Sequence, residues 1–189
     1  MSADITLPAG APEEVVTNAL VREIDLAAFG GKGSMALITL DNGHDHNRPN
    51  TFGPKSVMAL DAAITDAIGR NPAAIAITGK PFIFAAGADL SALSFLNDRN
   101  QSLAIGKLGH DVFRRLGESS IPTFAFINGL ALGGGLEVGL HCHYRTLAST
   151  AFTGLPEVFL GLVPGWGGAT ILPKLIGPER AVQVIMLNA

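Results

Sequence analysis

Apolar positions along the chain fall into two periods. From Pro54 to Ile68, Val57, Leu60, Ala63, Ile64 and Ala67 recur at helical spacing, and Pro54 suits a first helical turn. Residues 101–117 repeat that amphipathic pattern. Between them, Ala73–Thr78 (AAIAIT) is a short, nearly all-apolar run, as is Thr123–Ile127 (TFAFI), and both read as strands buried on two faces. Two earlier β-rich runs, Ala19–Ala27 and Met35–Leu40, are joined by Gly30-Gly31-Lys32-Gly33 and predict a hairpin. Asp41–Asn50 is a polar loop closed by Pro49, and Gly79–Leu90 reads as a glycine-bearing loop. The triplet Gly133-Gly134-Gly135 opens a helix reaching about His141, followed by short strands at Tyr144–Ala148 and around Phe152. Pro178–Asn188 begins an apolar helix that stops at Ala189, the pattern expected of a chain cut short. The strand–helix–strand passages predict an α/β fold with parallel strands and right-handed crossovers. Residues 1–16, rich in proline and acids, read as a loose lead-in, and 17–189 as one domain.

Composition narrows this picture by exclusion. Nearly half the residues are apolar, 15% are charged and 23 are glycine, which excludes a disordered tail, a coiled coil and a collagen-like chain. A net charge of −3 without a basic stripe argues against nucleic-acid binding. Pro122, Asn128, several glycines and Glu137 interrupt the most apolar window, so no membrane span is expected there. One cysteine, Cys142, and no signal-peptide pattern point to the cytoplasm. The last helix carries Val182, Val184, Ile185, Met186 and Leu187 on more than one face, so self-association or exposed apolar surface is expected there.

Three segments carry candidate chemistry: FIFAAGADL (Phe82–Leu90), Ile127–Arg145 around the glycine triplet, and Phe152–Gly168. Each sets glycines and a carboxylate beside a strand end. Glycines at a helix mouth let backbone N–H groups approach a developing anion, and the Ala86–Asp89 turn offers a second N–H, so an oxyanion hole is one reading. Close helix–strand packing explains the glycines equally well. Glu137 and Glu157 both sit among apolar neighbours; burial and mutual repulsion would raise their pKa values and fit them for acid–base work. Exposed or capping glutamates are the competing reading. Neither a nucleophile elbow nor a nucleotide-binding glycine loop is present, and His44-Asp45-His46 and His141-Cys142-His143 lack zinc spacing.

Taken together, in this order and spacing, these segments resemble the crotonase (enoyl-CoA hydratase/isomerase) superfamily from about Ala19 onward. The stretch NRPNTFGPKSVMALDAAI is similar to the N-terminal part of bacterial multifunctional fatty-acid oxidation proteins, in which a 3-hydroxyacyl-CoA dehydrogenase follows. The resemblance implies a crotonase-like (ClpP/crotonase) fold of stacked β-β-α units, here without the C-terminal helical region. It implies that the Ala88 and Gly134 amides form the oxyanion hole, that Glu137 and Glu157 are the two hydratase carboxylates, and that Ala88, Asp89, Leu90, Ser91 and Gly134 line the substrate site. Asn50-Thr51-Phe52 falls where the family often has Asn-Ala-Leu near the CoA, and Thr51 departs from that pattern. The implied activity is hydration of a 2-enoyl-CoA in β-oxidation, with acyl-CoA as substrate and neither a cofactor nor a metal. A homo-oligomer, trimer or hexamer, is implied at full length. The alternatives are a delta-isomerase, a thioester hydrolase or a non-catalytic acyl-CoA-binding domain.

Overall fold

The computed structural model describes residues 10–91 and 98–187, so the first nine residues of the lead-in and Asn188, the last of the expected C-terminal helix, lie outside it. Among the described residues eight strands form two sheets. β1 (Asn18–Asp25) and β2 (Ser34–Asp41) make an antiparallel hairpin, Asn18 opposite Asp41 and Asp25 opposite Ser34. Its connection contains a short 3-10 turn capped by the Asp25 carboxylate, and it passes through Gly30 and Gly33 at φ 77° and 78°, where a side chain would be strained. β3 (Ala74–Gly79), β5 (Thr123–Ile127) and β7 (Tyr144–Leu147) extend this sheet in parallel, in the order β1-β2-β3-β5-β7. β4 (Phe82–Ala85), β6 (Gly129–Leu132) and β8 (Phe152–Gly154) form a second, parallel sheet.

Consecutive strands therefore split between the sheets: β3 and β4, β5 and β6, β7 and β8 each turn a corner. α2 (Arg99–Glu118) follows the first such pair and α3 (Gly134–His141) the second, giving stacked β-β-α units. The corners are built from residues without bulk. A Cβ at Gly79 would lie 2.0 Å from the Ile83 carbonyl oxygen, and one at Gly129 would lie 2.0 Å from that of Phe82. Asn128, between β5 and β6, staples its corner to the neighbouring one, donating to the Gly79 and Lys80 carbonyls at 3.2 and 2.8 Å. β4 and β6 depart from the sequence reading, which placed Phe82–Ala85 in a loop and gave Gly129–Leu132 no element. Four residues are too few to display a period of two, and Phe82 enters its strand at φ 67°.

α1 (Pro54–Gly69) buries Val57, Leu60, Ile64 and Ala67, the stripe expected from their spacing. Its opening amides are satisfied from the lead-in. Buried Glu14 accepts from the Lys55 and Ser56 N–H groups at 2.9 and 2.8 Å, and a carboxylate there also suits the helix dipole. The core continues through Phe84, Phe113, Leu116 and Ile127, all essentially inaccessible. Two further helices close the described chain, α4 (Gly168–Ile176) and α5 (Pro178–Leu187). α4 was not foreseen, because Pro173 lies inside it. α5 buries Ala181, half-buries Val184 and Ile185, and leaves Val182, Met186 and Leu187 exposed. Apolar surface at the last helix is therefore present.

The polar loop between β2 and α1 is held from below by one cation. Lys80, 5% exposed, donates from Nζ to Asn42 Oδ1 at 2.5 Å and to the carbonyls of His44, Asp45 and Arg48 at 2.9, 2.9 and 2.7 Å. Lys80→Met would remove this shared donor and leave the His44 carbonyl with no other among the described residues. We expect it to cost about 1–3 kcal/mol, read as a lower denaturation midpoint. A midpoint equal to wild type would show that the loop holds itself.

Candidate active site

The chain folds its three chemistry-bearing segments onto one pocket of about 380 Å³. Its floor is set by backbone pairing. Asn50 is fully buried, and its amide donates to the Leu40 and Phe84 carbonyls at 2.9 and 3.1 Å. Ala86 N–H donates to Asn50 O at 2.7 Å, Phe52 N–H to Gly87 O at 2.9 Å, and Asp89 N–H to Phe52 O at 3.0 Å. This clamp fixes the Ala86–Asp89 turn through its first and last amides. Among the described residues, the Ala88 N–H donates to no backbone or side-chain acceptor. Phe52, which the sequence left without a contact, is 2% exposed and lines the pocket.

Each glycine of the triplet has its own reason. Gly133 sits at φ 50°, ψ −127° and is pinned to β8 by its N–H, which donates to Gly154 O at 2.9 Å. A Cβ at Gly135 would lie 1.9 Å from the Ala85 carbonyl oxygen, so close helix–strand packing accounts for that position. A Cβ at Gly134 would stand 3.6 Å from the Ala88 nitrogen and 2.5 Å from the Trp166 ring. Gly134 N, at the first position of α3, likewise has no acceptor among the described residues. The structure thus brings Ala88 and Gly134 side by side at a helix N-terminus, with both amides uncommitted.

The two glutamates line the same pocket. Glu137, in the first turn of α3, is 2% exposed, and its Oε1 accepts from the Gly168 N–H at 2.9 Å. Burial pushes its pKa up to about 7; the Gly168 amide pulls the other way, and the neighbouring Glu157 charge adds to the rise. Glu157 comes from the 3-10 turn Pro156–Leu160 that follows β8. Burial raises its pKa too, and its Oε2 is buried without a hydrogen-bond partner among the described residues. Its other oxygen lies against Gly133, where a Cβ would come within 2.8 Å. Neither carboxylate is exposed, and each contributes an acid in apolar surroundings.

Asp89 and Leu90 line the pocket as well. Ser91 does not: its N–H is tied in a turn to Asp89 Oδ1 at 2.9 Å, which carries it onto an adjoining cleft of about 240 Å³ beside Arg48 and Thr51. Asp89 lines both cavities. Sequence reasoning missed Trp166 and Gly168. The Pro164–Gly168 run was conspicuous, but nothing in it showed that the indole would pack between Gly134 and Gly109 and stack edge-on against Phe113 at 5.4 Å. Of the histidines weighed as metal ligands, His141 is committed to the Trp166 carbonyl and His143 accepts the Thr123 N–H at 3.1 Å. Cys142 is buried, and burial pushes its thiol up to about 12, so it stays protonated.

Residues 30–189 match the family described as enoyl-CoA hydratase/isomerase. Among curated proteins, the chain is 42% identical over 137 residues to the fatty acid oxidation complex subunit alpha of Shewanella loihica, a match covering 71% of this chain and 19% of that protein. The chain therefore spans about a fifth of the length of the curated relatives it matches. Among solved structures, Pseudomonas aeruginosa DspI superposes with a TM-score of 0.78 at 29% identity, covering 96% of this chain and 70% of that one. An enoyl-CoA hydratase from Thermoplasma volcanium gives 0.78 at 28% identity, covering 90% and 64%.

Proposed function

The chain belongs to the enoyl-CoA hydratase/isomerase family, and from that premise we propose that it carries a hydratase site adding water across the 2,3 double bond of a 2-enoyl-CoA. The observation that carries this reading is a pair of carboxylates, Glu137 buried and Glu157 half-buried, facing one pocket beside two uncommitted amides. Binding an acyl thioester would need neither carboxylate. Adding water needs both a base and an acid.

The electron flow fits the residues. Glu137, with a pKa of about 7, is substantially ionised at neutral pH and takes a proton from water. The water oxygen bonds to C3, and the π electrons move to C2 and onto the thioester oxygen. There the Ala88 and Gly134 amides donate to the developing charge; losing one such donor costs roughly 3–4 kcal/mol of transition-state stabilisation. Glu157, whose pKa burial raises, delivers its proton to C2. Protons balance, and no electron leaves the pair of reactants, so the sequence of steps calls on no metal or redox cofactor. Largely apolar walls, including Phe52, Ile105 and Leu132, suit an acyl chain.

We place the reaction in fatty-acid β-oxidation, since the matched relative is named for that complex. Among the described residues no helix is long and apolar enough to cross a membrane, and we assign the site to the cytoplasm. The exposed apolar residues of α5 support assembly into an oligomer. The test is loss of 2-enoyl absorbance when the chain is mixed with 2-enoyl-CoA, with 3-enoyl-CoA and saturated acyl-CoA in parallel. Hydration of the first supports the proposal. Conversion of only the second makes the site an isomerase, release of free CoA a hydrolase, and binding without turnover a binding domain; each of these overturns it.

A further inference from the structure

His141 lies four residues beyond Glu137 on α3, so the two side chains share one helix face. Its Nε2 is 2.8 Å from the Trp166 carbonyl oxygen. A carbonyl can only accept, so this nitrogen carries the proton. The ring is 8% exposed, edge-on to His110 at 5.7 Å and to Phe113 at 6.3 Å. The turn that it grips, Gly165-Trp166-Gly167-Gly168, is all glycine apart from the indole. Gly167 stands at φ 130°, and a Cβ there would fall 2.5 Å from His141 Nε2, so the imidazole packs directly on the turn's backbone. Two residues past the gripped carbonyl, the Gly168 N–H donates to Glu137 Oε1 at 2.9 Å.

α3 thus holds this turn at two points one helical turn apart. The Glu137 point weakens whenever that carboxyl takes a proton, because a neutral acid is a poorer acceptor than a carboxylate. The His141 point does not. We propose that His141 is a positioning residue for Glu137: by clamping the Trp166 carbonyl it keeps the Gly168 amide aimed at the Glu137 carboxyl through a cycle of proton uptake and release. Its importance to turnover rests on the hydratase reading; the clamp itself does not. The charged and titratable groups around the ring are His110, Arg114 and Glu118 of α2, with Glu137 on its own helix. Burial lowers the His141 pKa and the Trp166 carbonyl opposes that, and in either protonation state Nε2–H remains a donor to that carbonyl.

The test follows the Glu137 carboxyl by NMR of chain labelled at glutamate side-chain carbons, its signal identified by its loss in Glu137→Gln. In His141→Leu, which has no donor, the midpoint should rise by roughly one pH unit, the tenfold change in proton affinity expected when a charge-assisted hydrogen bond is lost. In His141→Gln, which keeps a donor, it should return towards wild type. An unmoved midpoint in Leu, or a Gln variant displaced as far as Leu, would overturn the clamp. A second readout needs no variant: in wild type the Gly168 amide should exchange slowly with solvent on both sides of the Glu137 titration. Fast exchange once Glu137 is protonated would also overturn it. If the chain hydrates 2-enoyl-CoA, the acid limb of kcat/KM should move with the NMR midpoint. A shifted midpoint in a chain without hydration would defeat the hydratase reading and leave the clamp standing.

Discussion

Glu137→Gln should lower kcat for hydration by about 10²–10⁴-fold, the usual worth of a general base, while the protein becomes no less stable. Both halves follow from the burial that raises the carboxyl from 4.5 to about 7. In the folded chain Glu137 holds its proton more tightly than in the unfolded chain. Below pH 4.5 both states are protonated and burial of the carboxyl carries no electrostatic cost. As pH rises from there to about 7 the unfolded chain ionises first, so folding loses stability across that window and the full penalty stands above it. A shift of that size corresponds to roughly 3 kcal/mol. Glutamine cannot ionise, and its carbonyl can still accept from Gly168 N–H. The variant should therefore melt at or above wild type on the alkaline side of pH 7, and the gap should close towards pH 4.5. Wild-type kcat/KM should rise as pH climbs through about 7, where the base ionises, and the variant should lack that limb. A variant that melts well below wild type above pH 7, or that keeps its rate, would make Glu137 structural.

The sequence was most informative where a physical demand repeats. Val57, Leu60, Ile64 and Ala67 repeat on a helix face, and Ala73–Thr78 is nearly all apolar because β3 is buried along most of its length. In Thr123–Ile127, expected to be buried on two faces, Thr123, Ala125 and Ile127 are buried while Phe124 and Phe126 on the other face are half-buried. In the second sheet only β8 was legible, as the short strand expected around Phe152; β4 and β6 are four residues long each, and corner glycines whose crowding appears only in three dimensions set their placement. The site divides in the same way. Glu137 and Glu157 stood out because acids are rare in such apolar company, and the triplet because glycine has few reasons to repeat. The open question at Gly133–Gly135 proved to be two questions, since Gly135 answers to packing against Ala85 while Gly134 carries an uncommitted amide beside that of Ala88. Trp166, His141 and Gly168 act through a carbonyl, a ring nitrogen and an amide brought together across 25 to 31 residues of chain. No local spacing encodes such a contact.

Glu157→Gln should be the more complete lesion. Its Oε2 is buried with no hydrogen-bond partner among the described residues. Burial raises its pKa, which favours a protonated acid ready to deliver, and the glutamine replacement keeps shape while removing the transferable proton. Hydration and any isomerisation both pass through protonation at C2, so both should fall, again by about 10²–10⁴-fold. Exchange of the C2 hydrogen with deuterated solvent should disappear with them. Glu137→Gln separates from this, because moving a double bond consumes no water: a 3-enoyl thioester should still be isomerised in that variant at a measurable rate. The two variants, compared for hydration rate and C2 exchange after their folding has been checked, distinguish three outcomes. Loss of exchange only in Glu157→Gln supports the assignment. Loss only in Glu137→Gln reverses the roles, placing the C2 proton on the helix that begins at Gly134. Near-native rates in both would mean that the pocket buries two acids for a purpose other than proton transfer, and the hydratase proposal would fall with them.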